Sequence, residues 1–269
     1  MRRIEKVSVV VVVYNEAWYI EWCIKAVLEQ TYPAFELIII DDCSTDRTRD
    51  IVKSFSDGRI AYFQNGTRKG IAYSRNQGIQ HSTTEYVFFV DADCVPIKYW
   101  LEEGVRAFEQ KSCLGVEGRT SYETAQTSLA DRIIENTRGG AYNTCNIGYV
   151  KSALLDAGRF NEDYKWVSED TDLARKILLR GSIEFLPSMV VFHSQKKLTP
   201  GRCFEEARRV FSKVKYIKNT GDLRACCGRI MYPAHLCYLF FPPLLLLRYR
   251  FKNLQEIFLL FVIYISYIV

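Results

Sequence analysis

Residues 86–93 read Tyr86-Val87-Phe88-Phe89-Val90-Asp91-Ala92-Asp93. Five β-prone apolar residues follow one another without alternation, the pattern of a strand buried on both faces of a parallel sheet. The run stops at two carboxylates one residue apart, followed by Cys94, Val95 and Pro96, where strand pairing is expected to end. Ligands of open α/β sheets bind outside the carboxyl ends of the strands, so both acids are expected to face the crevice. Two carboxylates that close repel each other unless a cation or a shared proton compensates. Hard oxygen ligands suit Mg²⁺ or Mn²⁺, held by one or two carboxylates together with substrate phosphates. Alone, an acid-x-acid triplet is more often a polar turn after a core strand, so the flanking sequence has to decide.

Working outward, apolar runs and helical periods alternate. Residues 7–13 predict a first strand, and Asn15 is placed to cap a helix from about residue 17 that carries Ile20, Ile24, Val27 and Leu28. Residues 35–40 predict a second strand, ending in Asp41-Asp42-Cys43-Ser44-Thr45-Asp46, where Ser44 or Thr45 can cap a helix carrying Ile51, Val52 and Phe55. A short third strand is expected over 60–63, a turn at Asn65-Gly66, a short helix within 70–79, the buried strand over 86–90 and a helix over about 99–110. The next half is less regular. Gly139-Gly140, Asn143 and Asn146-Ile147-Gly148 read as loops around a strand, and 151–157 as a short helix. Glu169-Asp170-Thr171-Asp172 opens a helix whose Leu173, Ile177 and Leu178 share a face; residues 183–186 and 190–192 are strand-like, and His193 follows at once. This order implies βαβ units and a doubly wound α/β sheet.

Four acidic or amide clusters end predicted strands or open a loop-to-helix turn: Asn15-Glu16, Asp41-Asp42, Asp91 with Asp93, and Glu169-Asp170. A folded core does not need its carboxylates there, whereas a nucleoside-diphosphate site with a metal does. Acids in the first turn also favour a helix dipole, which by itself would account for 169–172. Asp46 and Asp172 read as caps or ion-pair partners, and His81 and His235 as structural. Gly66-Thr67-Arg68-Lys69-Gly70 lacks the spacing of a P-loop, which speaks against ATPase chemistry.

The net charge of +5 hides an asymmetry. Residues 1–195 carry 23 Lys and Arg against 27 Asp and Glu, net −4, whereas 196–269 carry 13 against 4, net +9. The expected division is a domain over 1–195 and a basic, apolar tail over 196–269, which suits an anionic membrane surface more than nucleic acid. In the tail, Phe204, Ala207, Phe211, Val214 and Ile217 form one helical stripe with basic residues around it, as in a helix lying in a membrane interface. The apolar runs 235–247 and 257–269 are each shorter than the roughly 20 residues needed to span a bilayer. Membrane association with the catalytic domain facing the cytoplasm is the expectation. Nine cysteines without a C-x-x-C suit buried thiols and argue against a zinc site. Met1-Arg2-Arg3 before residues 7–13 mimics a signal peptide, but no small-residue cleavage site follows, so a core strand is the better reading.

At this point the sequence resembles the inverting family-2 glycosyltransferases of GT-A fold. The resemblance rests on Val13-Tyr14-Asn15-Glu16, Ile40-Asp41-Asp42-Cys43-Ser44-Thr45-Asp46-Arg47-Thr48 and Ser74-Arg75-Asn76-Gln77-Gly78-Ile79. It continues in Val90-Asp91-Ala92-Asp93, Gly158-Arg159-Phe160-Asn161-Glu162, Glu169-Asp170-Thr171-Asp172-Leu173 and Val191-Phe192-His193. Val13 stands where that family often has Pro. The resemblance implies Glu16 and Asp41 at the nucleoside, and Arg75 beside the base or phosphates. It implies Asp93 as metal ligand, Asp91 at the ribose or the metal, and His193 as a further metal or diphosphate contact. Asp170 then matches the catalytic base, with Glu169 beside it, and Mn²⁺ or Mg²⁺ is the implied cofactor. The implied partners are a nucleotide-sugar, with UDP-sugars foremost, and a lipid-linked or growing surface-glycan acceptor, together with membrane lipids and no nucleic acid. Family members that make polyprenyl-phosphate sugars usually have Gln two residues after the second acid; Val95 stands there. Such a synthase, or a membrane-anchored nucleotide-sugar-binding protein without turnover, are the alternative readings. Intact Glu169-Asp170 argues against the latter, since binding alone needs no base.

Overall fold

The computed structural model describes residues 3–122, 131–132, 134–164, 167–194, 196–197, 216 and 218–220. Their elements are β1 (Val7–Val13), α1 (Ile20–Leu28), β2 (Phe35–Asp41), α2 (Thr48–Lys53), β3 (Ile60–Gln64), α3 (Ile71–His81), β4 (Tyr86–Phe89), β5 (Cys94–Pro96) and α4 (Trp100–Gln110). There follow β6 (Gly115–Ser121), β7 (Asp131–Arg132), β8 (Ile147–Val150), α5 (Lys151–Asp156), α6 (Glu169–Leu178), β9 (Ile183–His193) and β10 (Lys196–Lys197). Eight strands form one sheet in the order β3-β2-β1-β4-β8-β6-β9-β5. The first four run parallel; β8 lies antiparallel to β4 and β6, and β5 antiparallel to β9.

The sheet is buried on both sides, as the unbroken apolar runs require. Val9, Val11, Leu37, Ile39 and Phe88 pack with Ile20, Ile24 and Val27 of α1 and Trp100, Leu101 and Phe108 of α4. Val10, Ile38, Ile40, Val87 and Phe89 pack on the opposite face with Ile79 of α3, Leu154 of α5 and Leu173 and Ile177 of α6. Successive residues of β4 thus feed opposite cores, which is the period of two built into a strand.

Gly78 sets the height of α3 above this sheet. A Cβ there would lie 2.3 Å from Val10 Cγ1, on a buried β-branched residue with little freedom to yield. Helix propensity alone would favour Gly78→Ala by about 1 kcal/mol, but overpacking of about 1–3 kcal/mol outweighs it. We expect a net loss of stability in urea denaturation, and a Gly78→Ala/Val10→Ala double variant more stable than the two single effects added together.

Four local expectations need correction. Asn15 does not cap α1; that helix begins only at Ile20, after a turn in which the Glu16 carbonyl accepts from the Tyr19 and Ile20 amides. Asn15 has φ +53° and accepts from the Thr45 amide, tying the ends of β1 and β2 together. Neither Ser44 nor Thr45 caps α2. Asp46 accepts from the Thr48 amide through one oxygen and from the Ala17 amide through the other, and Phe55 lies beyond the helix. Residues 94–96 are also paired, where pairing was expected to have stopped. Cys94–Pro96 form β5, and Pro is tolerated because this strand closes the edge of the sheet. The two strand-like stretches at 183–192 are one strand with an irregularity, where β6 skips from Leu186 to Val190 as its partner.

Residues 124–133, 166–168 and 195–269 fall in a second unit, in which β10 pairs antiparallel with β7. The basic stripe over 204–218 is described only at 216 and 218, and the apolar runs over 235–247 and 257–269 lie outside the described residues. Among the described residues no helix is long and apolar enough to cross a membrane.

Candidate active site

The acids gather where the parallel strands end. Asp41 closes β2 in register with Val13 of β1 and Gln64 of β3. It has no exposed surface: Ser44 N–H donates to Oδ1 at 2.7 Å and the Tyr62 hydroxyl to Oδ2 at 2.6 Å. Asp42 accepts from the Lys69 and Gly70 amides at 2.8 Å and from Asn65 at 2.9 Å. Adjacent strand residues point to opposite sides, so each acid of the pair fixes a different loop. Glu16 is half-buried, and its amide donates to Thr48 Oγ1 at 3.0 Å.

Arg75 joins the two halves of the site. It sits on α3, 3% exposed, with Nη2 donating to Asp91 Oδ1 at 3.1 Å and Nη1 to Glu169 Oε1 at 2.5 Å. Its guanidinium lies 5.6 Å from the centre of the Phe160 ring. The next residue, Asn76, accepts from the Phe160 amide and donates to its carbonyl and to Glu162. Two stretches distant in sequence, 74–79 and 158–162, are therefore clamped together behind the acids.

Glu169 is 4% exposed, and its Oε2 has no hydrogen-bond partner among the described residues. Burial, and then the charge of Asp170, push its carboxyl up to about 7, while Arg75 pulls it down. The sign of the linkage follows. The folded value stands above the ordinary 4.5, so the native state holds the proton more tightly. Stability from this group is complete below about 4.5 and falls as pH rises towards about 7. Glu169→Gln should remove that slope, so the melting temperature of the variant relative to the parent rises between pH 5 and 8 (rough bounds set by the linkage). Asp170 is half-buried in the first turn of α6, with Oδ1 accepting from the Thr171 amide at 2.7 Å. Asp172 pairs with Lys176 at 2.6 Å, the ion-pair role expected of it.

Asp93 and His193 meet because β5 lies against β9. Cys94 is paired with His193 itself, which brings the preceding residue, Asp93, beside the imidazole. His193 Nε2 stands 3.6 Å from Asp93 Oδ1. Nδ1 lies 2.9 Å from the Ser194 carbonyl, which can only accept, so Nδ1 carries the proton and Nε2 offers a lone pair. A carboxylate oxygen and an imidazole nitrogen at this distance can share a cation. The donor set therefore fits a divalent metal ion, as well as a proton on Nε2.

Sequence reading gave Asp42 no role apart from its cluster with Asp41, and passed over Glu117. Glu117 is buried in β6 and accepts from Gly140 N–H at 2.7 Å, from Asn136 Nδ2 at 2.8 Å and from Tyr142 N–H, holding the 136–142 loop. A lone acid inside Gly115-Val116-Glu117-Gly118 was the available signal. His81, expected to be structural, stacks on Phe63 with ring centres 3.7 Å apart.

A family model described as Glycosyl transferase family 2 matches residues 8–155. The chain belongs to this family. Glycosyltransferase GlyG of Streptococcus pneumoniae serotype 4 is 33% identical over 206 residues, 68% of each chain. Escherichia coli WfgD, named a UDP-Glc:alpha-D-GlcNAc-diphosphoundecaprenol beta-1,3-glucosyltransferase, is 38% identical over 96 residues, 36% of this chain and 38% of its own. Of two further curated relatives at 38–39% identity the chain spans 34–43% of the length. The mannosyltransferase PcManGT of Pyrobaculum calidifontis, solved with GDP-Man and Mn²⁺, superposes with a TM-score of 0.63 at 19% identity, over 99% of this chain and 86% of its own. That likeness shows the fold, and the glycosyltransferase domain has the GT-A architecture the sequence leads one to expect.

Proposed function

We propose that the chain is a metal-dependent, inverting glycosyltransferase that moves a sugar from a nucleotide-sugar, a UDP-sugar foremost, to a lipid-linked or surface-glycan acceptor. One observation carries the reading: Arg75 bridges Asp91, at the end of β4, to Glu169, beside Asp170. A single buried cation thereby fixes the distance between the donor-side acids and the acceptor-side carboxylates. The UDP-sugar and the lipid-linked acceptor come from what the name of WfgD says of that protein.

In this reading Asp93 and His193, with Asp91 beside them, would hold Mn²⁺ or Mg²⁺, which would supply charge to offset the leaving diphosphate. Asp41 and Asp42 shape the loops that receive the nucleoside, and Glu16 stands at the same strand ends. Asp91 takes the ribose or the ion. Asp170 accepts the proton of the attacking hydroxyl, which is otherwise a poor nucleophile at neutral pH. Glu169, held near neutrality by burial, keeps Oε2 available to a sugar hydroxyl. Arg75 spends its charge on the two carboxylates and acts by positioning them. Purified protein offered a panel of nucleotide-sugars with Mn²⁺ should hydrolyse UDP-sugars fastest and stop under chelator. Failure to turn over any donor would overturn the proposal.

The tail is proposed to bind membranes, placing the active site at the cytoplasmic face. The support is its net +9 and the apolar runs over 235–247 and 257–269. Removing residues 231–269 should release much of the protein from membranes and leave a residual binding that weakens as salt rises. A truncated protein fully soluble at low salt would contradict a membrane role for the 204–218 stripe.

A further inference from the structure

Asp93, Cys94 and His193 present a carboxylate oxygen, a sulfur and an imidazole nitrogen, all within 4.8 Å of one another. Two separations are set by the fold itself: His193 Nε2 lies 3.6 Å from Asp93 Oδ1, and Cys94 Sγ lies 3.8 Å from the same oxygen. A tetrahedral ion bonded at about 2.0–2.3 Å to N, O and S ligands holds them roughly 3.3–3.7 Å apart. Two edges of such a tetrahedron are thus nearly formed before any ion arrives. The cause is the register of β5 on β9. Cys94 and His193 are directly opposed, so their side chains project to the same face of the sheet, and Asp93 immediately precedes them.

We propose that Asp93, Cys94 and His193 form a three-ligand site for a thiophilic divalent cation, Zn²⁺ being the type, bound through Oδ1, Sγ and Nε2. Three protein ligands of this mixed kind leave the fourth position to water or a phosphate oxygen. Sulfur is the discriminating donor: Mn²⁺ and Mg²⁺ are served by oxygen and gain little from a thiol, whereas Zn²⁺ gains a strong ligand. On binding, the sulfur–metal bond replaces the S–H bond and the proton leaves to solvent, with no change of oxidation state. The Ser194 carbonyl already fixes the His193 tautomer that this requires. Sharing Asp93 and His193 with the hard ion, Zn²⁺ would exclude it, so the site is a point of inhibition by thiophilic metals. The site rests on the geometry of the cluster and stands whether or not the chain transfers sugar. Sequence reading argued against zinc for want of a C-x-x-C, whereas these ligands come from two strands far apart in the chain.

The test uses the full-length reduced protein with Co²⁺ as a spectroscopic stand-in for Zn²⁺. A near-ultraviolet thiolate-to-cobalt charge-transfer band should grow on titration and be displaced by Zn²⁺. Cys94→Ser should lose that band and bind Zn²⁺ at least about tenfold more weakly, with Mn²⁺ affinity unchanged within about twofold. Cys23→Ser, another buried thiol near the acids, should keep the band. Circular dichroism checks folding, and His193→Gln, read by the same Zn²⁺ and Co²⁺ titrations, replaces Cys94→Ser if that variant unfolds. A band as strong in Cys94→Ser as in the parent, no band in the parent, or equal losses in Cys23→Ser would overturn the proposal. Failure of sugar transfer with the band intact would count only against the transferase reading.

Discussion

Asp170→Asn should leave nucleotide-sugar affinity within a few-fold and lower transfer by about 10²-fold or more. Asn keeps the size of Asp170 and can still accept from the Thr171 amide, as Asp170 does at 2.7 Å. It cannot take a proton at neutral pH. In the proposed site the donor side rests on other groups, the acids at the ends of β2 and β4, and these are tied to Arg75 and to the 65–70 loop independently of Asp170. Asp172→Asn is the matched control. It removes a charge in the same helical turn, but Asp172 is engaged with Lys176 and faces the core. Its cost should appear in stability and not in the ratio of transfer to binding. Isothermal titration with donor, beside an initial-rate assay on both variants, reads the difference. Equal losses of transfer in the two, or donor binding lost in Asp170→Asn, would remove Asp170 from the role of base.

Asp93→Asn should abolish transfer and weaken divalent-dependent binding of the nucleoside diphosphate. The expected loss exceeds the roughly 10–100-fold seen when an outer-shell partner is removed, because in the proposed site the carboxylate itself would be the ligand. The fold should survive, since Asp93 stands outside the ladder of β5 and its neighbour Cys94 carries the pairing with His193. Binding of UDP measured with and without Mn²⁺ separates the cases: the parent should gain from Mn²⁺ and the variant should not. Near-normal turnover of Asp93→Asn under chelator would show that no metal is held there.

Legibility followed burial. β1, β2 and β4 were readable because a strand covered on both faces must be apolar at every position, and their ends were marked by the acids. The opening of α6 was readable because Glu169-Asp170-Thr171-Asp172 stands at the start of a helical period. β6 was not. Its Gly115-Val116-Glu117-Gly118 carries two glycines and an acid, and its reason lies elsewhere: at Gly118 a Cβ would meet the Met189 carbonyl oxygen at 2.2 Å, and Glu117 serves the 136–142 loop. β5 was missed because Pro96 normally stops pairing, and only an edge position excuses it. Caps were misassigned at Asn15 and Ser44 because side chains near a helix start can instead join two loops, as Asn15 and Thr45 do. The acids and Arg75 were legible as candidates, but their pairing was not. That Arg75 would be shared by Asp91 and Glu169, or that β5 would carry Asp93 to His193, follows from long-range strand order that no local pattern contains.

The most direct measurement of the central claim is the configuration of the first-formed product. With Asp170 as base and one displacement at the anomeric carbon, transfer or hydrolysis of an α-linked UDP-sugar must release the β-configured product first. Proton NMR during the first turnovers, before mutarotation, reads the anomeric signal directly. The account predicts the β signal alone at the outset, absent in Asp170→Asn. An α product from the start, or both anomers in constant ratio from the first time point, would contradict it.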